Sequence, residues 1–291
     1  MFDLIYRFDP EHAVTNKLPT SAEEACRVLM QGNHEFVQLT DAPWRERRTS
    51  IIPIDSRAFG WGVNQGSAPA QEPFAAVLGC ADARVPTEMV FTKGCNELFV
   101  VRVAGNVLGQ ECLGSLRFAM NHFSSTLKLL LVLGHTQCGA VTEAVNVYLE
   151  PKRYMEMATD PSTRAIEDHI AVAVRVAAMT MEKIYGADLP GSSGYHSALL
   201  QASVVLNAAW SAYCLRQEFG QQHSRVGIVF GVYDLVTRSI GLRLSATDRG
   251  SDEPAGLFAP PADAEQFRKL AYEICGSALV RSLLRRECEV A

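Results

Sequence analysis

The chain has 291 residues, of which 48% are apolar and 20% charged, with a net charge of −5. That length suits one large domain or two modest ones with a real core. The acidic balance, without any dense Lys/Arg block, argues against nucleic acid as a partner, and no run reaches the roughly 18–20 apolar residues that span a bilayer. "RERR" (Arg45–Arg48) is interrupted by Glu46 and reads as a solvated face. The opening "MFDLIYRFDPEH" carries Asp3, Asp9 and Glu11 and lacks the basic head and apolar body of a signal peptide, so a cytoplasmic protein with no membrane partner is expected. Eight cysteines are too few for a secreted disulfide framework. Cys26, Cys95, Cys112, Cys214, Cys275 and Cys288 read as small buried or half-buried hydrophobes. Cys80 and Cys138 are set apart by their neighbours.

In chain order, residues 1–20 read as irregular, with Pro10 and Pro19 as breakers. An amphipathic helix follows Thr20 or Ser21, with Cys26, Leu29, Met30 and Phe36 on its apolar stripe, ending near Gly32 or resuming after it. Residues 41–73 read as a long surface connection. "FAAVLG" (74–79), "ELFVVRV" (97–103) and the apolar run after Lys128 suit buried parallel strands. "CLGSLRFAMNHF" and "CGAVTEAVNVYL" read as helices, as do two long segments around 164–185 and 196–219. The stretch 151–195 reads as an insertion and linker. "RVGIVFGVYDLVTRSIGLRL" reads as two strands about a turn at Thr237–Ser239, and a last helix spans about 263–286. The alternation implies a single α/β domain: a mostly parallel β-sheet flanked by helices, with an N-terminal arm (1–70), a central core (71–245) and a C-terminal helical extension (246–291).

Ligands of such sheets sit at the carboxyl ends of the strands. Two loops there carry chemistry: "GCADAR" after the first central strand and "GHTQCGA" after the third. If those strands are neighbours, Cys80, Asp82, His135 and Cys138 converge. Two thiolates and an imidazole suit zinc, leaving the fourth position to water or a carboxylate. A redox pair is the competing reading, but Cys80 and Cys138 lack the C-x-x-C spacing. Arg84 gives Asp82 two states. Held by the guanidinium it stays ionised and accepts a hydrogen bond at the metal; released, it is itself a fourth ligand and blocks the site.

"CADAR" with "VPTE", then "ELFVVRVAGN", "GSLRFAM" and "LVLGHTQCGAV", resemble the β-class carbonic anhydrases in order and spacing, closely over residues 71–145, and "VFGVYDLVT" resembles that family's late strand. The resemblance implies zinc held by Cys80, His135 and Cys138, an Asp82–Arg84 dyad beside it, and reversible hydration of carbon dioxide to bicarbonate. It also implies a substrate pocket with Gln71 as a polar contact and Phe99 and Phe118 as walls, and a homodimer or higher homo-oligomer with an N-terminal arm across the partner. Hydrolysis of carbon disulfide or carbonyl sulfide on the same framework, and a non-catalytic zinc-containing assembly protein, are the alternatives. His122 and His169 are proton-shuttle candidates by type only. The chain departs from the family at Ala83, where serine is usual, at Val103 and Ala104 in "RVAGN", and at Val77, where some members place tryptophan.

Overall fold

The structure, a computed structural model, describes residues 1–8, 17–41, 46–55, 58, 68–220, 225–241 and 256–285. The chain opens with strand β1 (Phe2–Phe8), paired in parallel with β2 (Arg48–Ile54). The expected irregular start and bare surface connection are therefore corrected. β1 places β-prone Phe2, Leu4, Tyr6 and Phe8 on alternate positions, while Pro53 in β2 obscures a strand because proline gives up a ladder donor. Arg45 of the basic cluster and Cys288 lie outside the described residues.

Helix α1 (Ala22–Thr40) starts at Ser21, whose side chain accepts from the Glu24 amide, and runs through Gly32 without a break. The helix passes Gly32 because another segment lies on it. A Cβ there would stand 1.8 Å from the Phe91 carbonyl oxygen, and Thr92 donates to the Gly32 carbonyl at 2.6 Å. Next to it, buried Asn33 donates to the Val90 and Arg238 carbonyls and accepts from the Ile240 amide, which ties α1 to two distant turns.

The central sheet consists of β3 (Ala75–Gly79), β4 (Leu98–Arg102), β5 (Leu129–His135) and β6 (Gly227–Tyr233), all parallel in the order β4–β3–β5–β6. Period-two alternation divides its side chains between two cores. Ala75, Val77, Leu129, Leu131 and Leu133 meet Ala25, Leu29 and Phe36 of α1, with Phe74, Val90 and Phe91. Ala76, Leu78, Leu130 and Val132 face a larger helical layer. After α2 (Thr87–Val90), that layer is built from α3 (Gln110–His122), α4 (Gly139–Leu149), α6 (Pro161–Tyr185) and α7 (Tyr195–Phe219), with α5 (Lys152–Met157) short between them.

The helix expected around 164–185 is α6, which begins at Pro161 behind an Asp160 cap, takes up most of the 151–195 stretch and buries Ile170, Ala173, Val174, Ala177 and Met181 in the core. Helix α7 is long and apolar enough to cross a membrane by length and composition, contrary to the sequence expectation, yet it lies mostly buried in this core. The last helix is two, α8 (Ala264–Cys275) and α9 (Ala278–Arg285), because Gly276 stops the first and the Ser277 hydroxyl accepts from the Val280 amide to start the second. After β6, Ile240 pairs with Tyr233 as a single antiparallel bridge. Residues 242–244 of the expected second strand lie outside the described residues.

Candidate metal centre

β3 and β5 are adjacent and in register, Gly79 opposite Leu133, so the loops that leave them emerge side by side at the carboxyl edge of the sheet. Cys80 follows β3, His135 ends β5, and Cys138 caps the N-terminus of α4. All three are buried, and their ligand atoms lie within 4.8 Å of one another. The Sγ atoms of Cys80 and Cys138 are 3.9 Å apart. Two thiolates on one zinc, at about 2.3 Å each and the tetrahedral angle, would stand about 3.8 Å apart.

Electrostatics and hydrogen bonding agree with that spacing. His135 Nδ1 donates to the Thr136 carbonyl at 2.9 Å, an acceptor that fixes the tautomer. Nε2 is therefore left with its lone pair, buried and without a hydrogen-bond partner among the described residues. The Cys138 thiol donates to Cys80, which pulls the Cys80 thiol well down from its ordinary pKa and holds that of Cys138 up. One proton held between two sulfurs, facing an orphaned imidazole nitrogen, is a site whose needs a soft dication meets. The amides of Ala140 and Val141 at the start of α4 add a field that favours thiolate at Cys138.

Asp82 stands at the edge of this group, its Oδ2 3.8 Å from His135 Nε2. Arg84 grips it at both oxygens, Nε to Oδ1 at 3.0 Å and Nη2 to Oδ2 at 2.7 Å, and the Arg84 amide adds a third bond at 2.9 Å. The guanidinium beside it holds the Asp82 carboxyl well below the usual carboxylate range. Asp82 is thus ionised and paired with Arg84. Ala83 is exposed between them.

Arg102 is a residue that motif reading passed over. Its Nε donates to the Cys80 carbonyl at 2.9 Å and its Nη2 to the Asp82 carbonyl at 2.5 Å, so one side chain holds the loop that presents both groups. It heads the stretch "RVAGN", directly before Val103 and Ala104.

The structure places the expected pocket residues on β4, on α3 and ahead of β3. Phe99 sits in mid-strand opposite Ala76, four residues before Cys80, and its ring packs toward Phe123 with centroids 5.8 Å apart. Phe118 is 47% exposed on α3, stacked on His122. Gln71 is exposed in the stretch leading into β3. His122 and His169 lie exposed on their helices, each with Nδ1 on a carbonyl of its own helix. Val77 is fully buried in the core beneath α1.

A family profile described as "Carbonic anhydrase" matches residues 75–237. The chain is 36% identical over 126 residues to carbonic anhydrase 2 of Mycobacterium tuberculosis, covering 43% of this chain and 54% of that protein. It is 37% identical over 120 residues to a carbonic anhydrase of Mycolicibacterium smegmatis, covering 40% of this chain and 50% of that one. The chain thus spans about half the length of these relatives. Among solved structures, the β-carbonic anhydrase CcaA is similar with a TM-score of 0.46 and 16% identity, over 59% of this chain and 73% of that chain.

Proposed function

The chain belongs to the β-carbonic anhydrase family, and from that premise we propose that it catalyses reversible hydration of carbon dioxide, CO2 and water giving bicarbonate and a proton. The observation that carries the reading is the buried Cys80–His135–Cys138 group with Asp82, held ionised by Arg84, beside it. Zinc, when bound by those three residues, supplies a Lewis acid that brings the pKa of water toward about 7.

The rest is work for the chain's own side chains. His135 offers Nε2 because its Nδ1 proton is committed to Thr136. Asp82 accepts a hydrogen bond from the attacking water and so orients its lone pair toward the carbon of CO2. Arg84 holds Asp82 in a two-pronged pair, and were zinc bound, an Asp82 released from Arg84 would be free to ligate it and close the site. Arg102 keeps the Cys80–Asp82 loop in register with β4.

The test joins zinc content to stopped-flow CO2 hydration. Asp82→Asn is expected to retain zinc and lose at least about 100-fold in kcat/KM. A parent with full zinc and no hydration would favour an assembly role. Negligible hydration with rapid sulfide release from carbonyl sulfide or carbon disulfide would move the substrate instead.

The exposed Phe118 and Gln71 support a second copy of this chain as the partner that completes the pocket. Light scattering after size exclusion is expected to report a dimer or a multiple of it; a monomer at assay concentrations that retains full activity contradicts that assembly.

A further inference from the structure

Helix α7 is apolar over most of its buried surface, yet one face carries Ser203, Asn207 and Ser211, each buried and one turn apart. Asn207 Nδ2 donates to the Gly105 carbonyl at 2.7 Å, and Ser211 Oγ donates to the Asn106 carbonyl at 3.1 Å. The turn they hold is unusual. Gly105 has φ of 65° and Asn106 of 45°, and the second is a conformation that side-chain-bearing residues seldom adopt.

That turn is also joined to the metal group from two directions. The Val103 amide donates to the Gly79 carbonyl at 3.0 Å and the Ala81 amide to the Val103 carbonyl at 3.2 Å, bracketing Cys80. On the other side, a Cβ at Gly105 would lie 3.3 Å from the Ala140 Cβ and 2.8 Å from the Ile170 Cδ1. Gly105 therefore seats the first turn of α4, the helix that Cys138 caps.

The polar face does not serve packing. Ser203 Oγ, Asn207 Oδ1 and Asn106 Nδ2 are buried without a hydrogen-bond partner among the described residues. Apolar side chains would avoid that desolvation penalty.

We propose that Asn207, seconded by Ser211, is a positioning residue for the metal centre. By fixing the Gly105–Asn106 turn from α7 it sets where α4 presents Cys138 and where the loop presents Cys80. This rests on the reading that Cys80, His135 and Cys138 hold zinc.

The experiment uses the full chain loaded with Zn2+ or Co2+. Zinc affinity is read by chelator competition and ligand geometry by the visible and thiolate charge-transfer bands of the cobalt protein. Asn207→Leu, close in volume but without hydrogen bonds, is expected to weaken zinc binding about 10- to 100-fold and to shift the cobalt bands. Ser211→Ala should move both readouts in the same direction by less, and decides the matter if Asn207→Leu fails to fold. Ser203→Ala, on the same face with no bond to the turn, should leave both unchanged. Folded variants with parental affinity and spectrum overturn the proposal, as does a Ser203→Ala shift equal to that of Ser211→Ala. A parent that shows no thiolate–cobalt bands overturns the zinc reading itself, and this proposal with it.

Discussion

Two arginines divide the labour around Cys80. Arg84 is bound to a carboxylate and sets its charge, whereas Arg102 is bound to main-chain carbonyls and sets the position of the loop. Replacing Arg102 by methionine keeps much of the aliphatic stem and removes both bonds, leaving the Cys80 and Asp82 carbonyls without their guanidinium partner. The expected result is a fall of about 10- to 100-fold in kcat/KM with zinc affinity reduced in parallel, measured on the purified full chain. Unchanged affinity and rate would show that strand pairing alone positions the loop. The candidate metal donors themselves were legible in the sequence because thiol and imidazole chemistry is a property of residue type. Arg102 was not, because carbonyl partners have no residue identity and become visible only once β3 and β4 are paired.

Between α4 and α6 lies a carboxyl whose Oε2 has no hydrogen-bond partner among the described residues. Glu167 is 5% exposed, and burial, reinforced by Glu143 and Asp168, pushes its pKa up from 4.5 to about 7. The folded chain therefore holds a proton there that the unfolded chain releases between pH 4.5 and about 7. Stability from this group falls as pH rises across that window and levels off above it. Glu167→Gln should remove that slope and raise stability at pH 8 by roughly 1–3 kcal/mol, read from denaturant unfolding at several pH values. A mutant whose pH slope matches the parent's would rule Glu167 out as its source. Helices α3, α4, α6 and α7 were readable from 3.6-residue periodicity. The continuation of α1 through Gly32 was not, since the reason for that glycine is the Phe91 carbonyl, distant in sequence and close in space.

For the whole molecule, the metal group links three places in the fold: the end of β3, the end of β5 and the start of α4. A metal bound there stabilises the folded chain by mass action, because the unfolded chain has no preformed site. Removing it with a strong chelator should lower the melting temperature by several degrees, and re-adding zinc should restore it, followed by calorimetry with metal content measured in parallel. A metal-free chain that melts where the loaded one does would place the binding energy outside the folding equilibrium.

The α/β alternation, the two glycine-led loops and the identity of the candidate donors were all written in the chain. These are local properties: side-chain periodicity records which face is buried, and residue type records which atoms can bind a metal. Tertiary structure decided the rest. It paired β1 with β2 across the whole of α1, and drew α6 into the core beside α4 and α7. It also brought Cys80 and Cys138, 58 residues apart in the chain, to 3.9 Å. Such placements depend on which strands become neighbours, and that choice is made by the packing of the whole core rather than by any one segment.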